Sequence, residues 1–382
     1  MANTLTDLAA DIYKAADIVG RELVGFIPSV MINTGIEQAG VGTTIRSHFT
    51  RAATVGDISP SMTIPEGTDQ VVDNKTMTLT KQRGVAIPWT GEDIRYVNDG
   101  AGYTTIYGDQ ITQAMRALVN EIEVDLATEA YTNASRAFGT AGTTPFASNF
   151  NDIAEVRQIL ADNGMPTEDG QLSLIVNTLA GTNLRQLAQL QKANEAGGTE
   201  LLRQGTLLEL QGFMLKESAK VQSHTKGTAT GLDAAGGEPA GETSIALDGG
   251  DGGTLLSGDV VTFAGDTNKY IVNTGFTAAS GTAVIGGPGL QATLADTVEM
   301  TIGDSYTANV ALHRNGMELA MRAPAKPAGG DAAEDVMVVR DPHSGLVFEI
   351  SVYKGFNKAM IYVGAVWGYK AWKPDAIAIL LG

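Results

Sequence analysis

Four histidines, His48, His224, His313 and His343, are the side chains best suited to metal binding or to proton transfer near neutral pH. No two of them stand at the spacing of a metal-binding pair. His313 opens the segment His313–Pro324, which reads as a helix with Met317 and Met321 on one side, so it is expected to be an ordinary surface or core histidine. Acidic pairs are the next candidates, for acid–base work. Glu121 and Glu123 lie two apart in a helical pattern and point to different sides. Asp331, Glu334 and Asp335 fall in a segment rich in Gly, Ala and Pro. Both groups read as solvated surface. Gly249–Gly253 is glycine-rich, but no Gly-Lys-Ser/Thr follows and no strand-to-helix junction surrounds it, so it is no phosphate cradle. Asp248, Asp251, Asp259 and Asp266 lack the regular spacing of a calcium loop. The chain has no cysteine, which excludes disulfides, thiolate metal sites and a cysteine nucleophile. The residues therefore assign no catalytic group, no cofactor and no metal, and the expectation is a protein that is not an enzyme.

The bulk composition points to shape rather than chemistry. The 382 residues suffice for two or three domains, and 43% are hydrophobic, enough for sizeable cores. Only 18% are charged, while Gly reaches 46 residues, a mix that favours turns, extended loops and β structure. The net charge of −17 repels nucleic acid as a whole and disfavours tight, sequence-specific DNA binding. It also restrains self-association until contacts are correctly arranged. No apolar run approaches the ~18 residues of a membrane span, so no membrane partner is expected. Residues Met1–Asp7 lack the basic-then-apolar pattern of a signal peptide, which predicts a protein made and kept in the cytoplasm. Starting at Met1, the arm is expected not to depend on cleavage.

The elements follow from periodicity. In residues 1–53, Leu5, Leu8 and Ile12 recur at helical spacing and Pro28 ends the pattern, after which Gly40–Arg51 is strand-like. Residues 54–93 alternate with a period of two. Met77 and Leu79 share one face of Lys75–Lys81, Val85–Trp89 follows after Gly84, and Ser59–Pro65 with the turn Glu66–Asp69 completes a long hairpin with little core of its own. Such a two-stranded arm is marginal alone and leans on a partner. Residues 104–134 give the cleanest helix, with Tyr107, Ile111, Met115, Leu118, Ile122, Leu126 and Ala130 on one stripe and Arg116, Glu121, Asp125 and Glu129 off it. Residues 149–220 alternate helix and strand: a short helix opening at a capping box, Asp152–Glu155, and ending near Asn163–Gly164, a strand at Leu172–Val176, a helix at Leu179–Lys192 and a strand at Gly212–Lys216. Residues 222–305 turn to Gly, Thr, Ser, Ala and Asp, with short strands at Thr243–Leu247, Asp259–Phe263, Lys269–Asn273, Val284–Ile285 and Val298–Ile302. They read as a small all-β, barrel-like domain inserted into a parent domain that resumes at Ala308. The chain closes with an apolar strand from Met360 to Val366, a Gly-Tyr-Lys break, a Lys-Pro-Asp turn and a last strand from Ala376 to Leu381.

In this order, the pieces resemble a tailed-bacteriophage major capsid protein of the Hong Kong 97-type fold, within the subgroup of short-tailed-phage coat proteins that carry an inserted β-barrel domain. The similarity covers nearly the whole chain. Its most specific local matches are Leu210–Phe213 leading through Lys220–Gly231, then Leu256–Gly265, then Val366–Ala376. The resemblance implies an α+β fold divided into an N-terminal arm (1–53), an extended β-hairpin or E-loop (54–95), a peripheral domain with a spine helix (96–148), an axial domain (149–221), an inserted domain (222–305), and the rest of the axial domain with the closing peripheral strands (306–382).

It also implies a function. Copies would self-assemble into hexamers and pentamers of an icosahedral head around double-stranded DNA, held only weakly and without specificity. Portal and scaffolding proteins are further expected partners, with a decoration (cement) protein as an additional candidate. The virion capsid, assembled in the host bacterial cytoplasm, is the expected location. The E-loop of one subunit would lie over its neighbour, making Met77, Leu79, Lys81, Arg83, Ile87, Trp89 and Arg95 the inter-subunit contacts. Ile111, Met115, Leu118, Ile122 and Leu126 would pack the spine helix. Lys75 or Lys81 is a candidate for an isopeptide bond to an Asn, as in some phage shells. An encapsulin-like compartment shell shares the fold. A carbohydrate-active enzyme with a β module is the reading from another class, and it would need a paired-carboxylate cleft lined by aromatics.

Overall fold

The computed structural model describes residues 25–50, 60, 62, 72–98, 103–187, 190, 209–340 and 345–382. The helical pattern at Leu5–Ile12, the turn at Glu66–Asp69 and the end of the helix expected at Leu179–Lys192 lie outside the described residues. The chain begins with a 3₁₀ turn (Ile27–Ser29), then strands β1 (Met31–Ala39), β2 (Thr44–Thr50), β3 (Val72–Thr78) and β4 (Lys81–Thr90). Helices α1 (Gly91–Asn98) and α2 (Tyr103–Thr132) follow, then β5 (Arg136–Phe138), α3 (Asn151–Asp162), β6 (Leu172–Val176) and α4 (Thr178–Gln186). Next come β7 (Glu209–Leu210), β8 (Phe213–Glu217), β9 (Ser223–His224), β10 (Asp233–Ala234), β11 (Ser244–Asp248), β12 (Val260–Phe263), β13 (Lys269–Thr274), β14 (Gly281–Ile285) and β15 (Met300–Ile302). The chain ends with β16 (Tyr306–His313), β17 (Met317–Pro324), β18 (Ala333–Arg340), β19 (Val347–Gly355), β20 (Lys358–Ala371) and β21 (Ile377–Leu381).

The long helix is where the 3.6-residue period placed it. Ile111, Met115, Ile122, Leu126 and Ala130 are completely buried and Leu118 nearly so, all in one core with Trp367 and the strands of the first sheet. The side chain of Tyr107, at the N-terminal end of the stripe, lies outside the described residues. With 30 residues at ~1.5 Å each, α2 is about 45 Å long and backs the sheet along its length.

Strand β20 organises that sheet. It pairs antiparallel with β4 along one edge, from Trp367↔Lys81 to Lys358↔Thr90. Its other edge takes β19 against residues 358–364 and β17 against 366–371. Beyond these lie β1, parallel to β17, and β18, antiparallel to β19. Three sequence expectations change here. The strand does not break at Gly-Tyr-Lys but runs on to Ala371, because Gly368 pairs Ala320 in the sheet. His313–Pro324 is not a helix but the end of β16, a 3₁₀ turn and β17. Met317, Leu319, Ala320, Met321 and Ala323 are all completely buried, so both faces of β17 are covered, and a strand of that kind loses the alternation that would mark it. β1 was hidden for a similar reason, as Met31–Ala39 carries polar residues at both periods.

The third change concerns the hairpin. The expected hairpin set Lys75–Lys81 against Ser59–Pro65, most of which lies outside the described residues. β3 pairs with β2 in a separate two-stranded ribbon, in register from Thr44↔Thr78 to Thr50↔Val72. β4 belongs to the main sheet through β20. A two-residue period fixes which side chains share a face but not which strand lies alongside. The hairpin arm is therefore built from residues on both sides of 51–71.

The second sheet has thirteen strands, ordered β10-β11-β14-β13-β5-β21-β16-β6-β8-β7, with β12, β15 and β9 attached. One of its cores packs α3 and α4 against β6, β8 and β21 through Ile153, Val156, Leu160, Leu174, Leu184 and Leu380. The capping box expected at α3 does not form: Asp152 instead accepts from Phe146 N–H at 3.0 Å. Residues 229–300 have a separate core that includes Ile245, Leu247, Val261, Phe263, Val272 and Ile285. That segment is nevertheless continuous with the main sheet, because β13 pairs with β5 at Tyr270↔Arg136. The chain enters and leaves it side by side, as β9 pairs with β16 at His224↔Tyr306. At this neck His224 Nε2 lies 2.8 Å from the fully buried Asp259, which also accepts from Gly227 N–H at 2.9 Å.

Candidate functional site: the root of the ribbon

The closing motif and the long helix together hold the point where the ribbon joins the sheet. Trp367 on β20 is completely buried, and its indole N–H donates to Asp125 Oδ2 on α2 at 2.9 Å. Asp125 Oδ1 accepts from Lys81 Nζ at 2.7 Å, and Trp367 and Lys81 are direct cross-strand partners. One turn earlier on α2, Glu121 Oε1 lies 3.4 Å from Lys81 Nζ and 3.3 Å from Arg83 Nε. One turn later, Glu129 Oε1 accepts from the backbone N–H of Ala371 at 3.0 Å. Three carboxylates at four-residue spacing thus grip β4 and β20 along one helix face. They lie off the apolar stripe, as the sequence indicated. Glu123, on another side of α2, accepts from Phe26 N–H at 2.7 Å, Ile27 N–H at 3.0 Å and Ser218 Oγ at 3.1 Å. The expectation that Glu121 and Glu123 form a solvated face is corrected: Glu123 is 6% exposed and Glu121 is half-buried and ion-paired.

The ribbon is seated by a small apolar cluster of Ala39, Met77, Leu79, Ala320, Val366 and Trp372. Trp372 N–H donates to Glu318 Oε2 at 2.7 Å, and the Trp372 carbonyl accepts from Lys75 Nζ at 2.7 Å. Leu79 exchanges backbone bonds with Gly42 and Thr43, and Thr80 N–H donates to Trp367 C=O at 3.1 Å. Gly368 leaves room for this crossing, since a Cβ there would stand 2.5 Å from Thr78 O and 2.9 Å from Leu79 Cα. Gly368→Ala is expected to cost about 1–3 kcal/mol through overpacking against backbone that has no rotamer to yield. Gly329→Ala, where a Cβ meets nothing within 4 Å, serves as the control. Urea unfolding of both variants gives the comparison.

These contacts redistribute the seven residues expected at a subunit interface. Met77 and Leu79 are 1% and 0% exposed, and Ile87 and Trp89 are 7% and 8% exposed, all within their own chain. The apolar surface around them comes from β1, β17, β20, α2 and Trp372 of the same chain, so in the folded chain they serve as anchors rather than as exposed partner contacts. Lys81 is likewise engaged by Asp125 and Glu121. Burial lowers its ammonium, but the hydrogen bond and charge of Asp125 outweigh this and carry it above its ordinary value. Arg83 keeps 61% of its side chain exposed. Arg95 lies in α1, with its side chain outside the described residues. Lys75 Nζ donates to Trp372 C=O. Sequence reading missed the carboxylate clamp, although the four-residue spacing of Glu121, Asp125 and Glu129 carried the signal.

Burial raises the Glu123 and Glu129 carboxyls above their ordinary value of 4.5, and the backbone donors that favour the charged forms offset only part of this. A raised carboxyl holds its proton in the folded chain after the unfolded chain has released it. Its contribution to stability is full below 4.5 and is lost as pH rises through the folded value. Glu129→Gln keeps an acceptor for Ala371 N–H and removes this titration. Its stability should therefore fall less steeply than that of the parent between pH 4.5 and 7, as read by denaturant midpoints across that range.

No protein-family model matches the chain, and no curated protein matches it. Solved structures do. The capsid structure of cyanophage P-SCSP1u aligns with 10% identity over 92% of this chain and 86% of that one, at a TM-score of 0.50. Mycobacterium phage Che8 aligns with 13% identity over 89% and 84%, at 0.46. The mature capsid of bacteriophage PhiM1 aligns with 11% identity over 94% and 86%, at 0.47. With its ribbon, long helix and paired sheets in that arrangement, the chain has the fold of a phage capsid protein.

Proposed function

We propose that the chain is a major capsid protein that self-assembles into hexamers and pentamers of an icosahedral tailed-phage head enclosing double-stranded DNA. The observation that carries this reading is the fold, shared with the P-SCSP1u capsid over 92% of the chain. The site supports it. Asp125, Glu129, Lys75, Lys81, Trp367 and Trp372 fix a two-stranded arm to a helix-backed sheet, a mechanical arrangement. Portal and scaffolding proteins are the further partners, with a decoration protein as an additional one, and assembly takes place in the host cytoplasm. The net charge of −17 fits a shell wall that holds packaged DNA loosely.

Residues 222–305 are the inserted β domain in this reading. Their separate apolar core and the adjacent entry and exit strands β9 and β16 favour it, and with it a place in the short-tailed-phage subgroup. The interface role falls to the ribbon itself and to the basic residues left exposed at its root, Arg83 foremost. Arg83→Gln, which removes the charge without setting a third carboxylate beside Glu121, is expected to lower the yield of assembled particles several-fold while costing the folded chain only about 0–1 kcal/mol, the worth of an exposed ion pair.

Sedimentation velocity of the purified protein tests the proposal. Megadalton particles, or discrete capsomers that convert to them, are expected. A single small oligomer at every concentration would contradict it and reopen the reading as an enzyme.

A further inference from the structure

Strand β18 is the last strand of the first sheet. Among the described residues it pairs only with β19, from Asp335↔Val352 to Arg340↔Val347. The Val336 N–H donates to its own Asp335 Oδ1 at 2.8 Å instead of to β19. The amides of Val336, Val338 and Arg340 therefore point away from the sheet, by the alternation of an antiparallel ladder. The residues of that same set form the strand's outer face: Val336 is 38% exposed, Val338 is half-buried, and Arg340 is exposed. The opposite set packs inward, with Val339 buried and Met337 against the main core. Edges of this kind are usually protected by lysine, proline or a short length. β18 has eight residues, Ala-Glu-Asp-Val-Met-Val-Val-Arg, with neither lysine nor proline, and its bulge lies at one end, between Ala333 and Asp335.

The edge is complementary to itself. We propose that β18 pairs antiparallel with β18 of a second copy about a twofold axis centred on Met337. The choice of a second copy rests on the assembly reading above. In this register Val336 of one chain faces Val338 of the other, and both are residues whose amides point outward, so each pair exchanges two N–H···O bonds. Four valines meet at the centre of the outer face. Arg340 of each copy falls opposite the Glu334–Asp335 end of the other, placing opposite charges at both rims. A one-residue slip would match outward amides with inward ones and bring the charges out of line. An interface that is the same patch on both partners is what a twofold axis requires. The pairing would join the two helix-backed sheets into one, and the Val336 amide would exchange its local side-chain acceptor for a strand carbonyl.

The absence of native cysteine makes the test direct. Met337→Cys places one thiol per chain on the axis, in a closely spaced pair position. Under mild oxidation the assembled protein should give a disulfide-linked dimer, whereas Val41→Cys, an exposed residue elsewhere, should give none. Adding Val336→Lys to Met337→Cys should reduce the dimer at least ten-fold. In the parent protein, hydrogen exchange of the peptide covering 333–340 should slow on assembly. Absence of the dimer together with unchanged exchange in assembled particles would overturn the pairing and leave the capsid reading standing. Dimers without particles would support the pairing and count against the capsid reading.

Discussion

Replacing Trp367 with alanine should destabilise the folded chain by about 3–5 kcal/mol, the largest loss expected from any single substitution at the ribbon root. Among the described residues Trp367 is the largest fully buried side chain, and it lies where β4, β20 and α2 meet. Its removal opens a cavity between helix and sheet. It also takes away the indole donor 2.9 Å from Asp125, leaving Lys81 as that carboxylate's remaining side-chain partner. Trp367→Phe separates the two effects. It restores most of the volume but not the N–H, and should recover more than half of the loss. Urea unfolding followed by circular dichroism reads both variants. A Trp367→Ala protein within about 1 kcal/mol of the parent would contradict the packing described.

The second large effect is at Glu123. Its carboxylate is the shared acceptor of the Phe26 and Ile27 amides and of Ser218, all buried. Glu123→Ala leaves those donors without an acceptor and should cost about 2–4 kcal/mol. The loss should also be local. Phe26, Ile27 and Val30 are completely buried against α2, and the pin that orders their backbone would be gone. Limited proteolysis should therefore cut near residues 25–30 in the variant before the rest of the chain unfolds. Uniform resistance there would mean that the apolar contacts alone hold the segment. Gly25 sets a further constraint, because a Cβ at that position would stand 2.0 Å from Glu123 Oε1.

What the sequence made legible follows from how each signal arises. The α2 stripe could be read because a helix buried on one side writes a 3.6-residue period into Ile111, Met115, Leu118, Ile122 and Leu126. The short strands between 243 and 302 could be read because glycine turns bracket them. β17 could not, because burial on both faces erased its alternation and its Met, Glu, Leu and Ala residues favour helix by propensity. The partner of β3 was invisible for a different reason. Strand pairing is a long-range property, and the strand next in sequence, β4, had its own partner nearly 280 residues further on, in β20. Met77, Leu79, Ile87 and Trp89 were correctly recognised as needing apolar cover, yet the sequence did not say that the same chain supplies it. The charged clamp was obscured by the habit of reading acidic residues off the apolar stripe as solvated. Glu123, with its two backbone amides, is the kind of buried carboxylate that only the assembled fold reveals.

The shell-forming role proposed for this fold has a visible consequence. Electron microscopy of the purified protein tests it most directly. Closed particles of uniform diameter, or tubes and curved sheets built from hexameric units, are the predicted result. Fields containing only monomers or dimers, at concentrations where the chain is folded and soluble, would contradict that role.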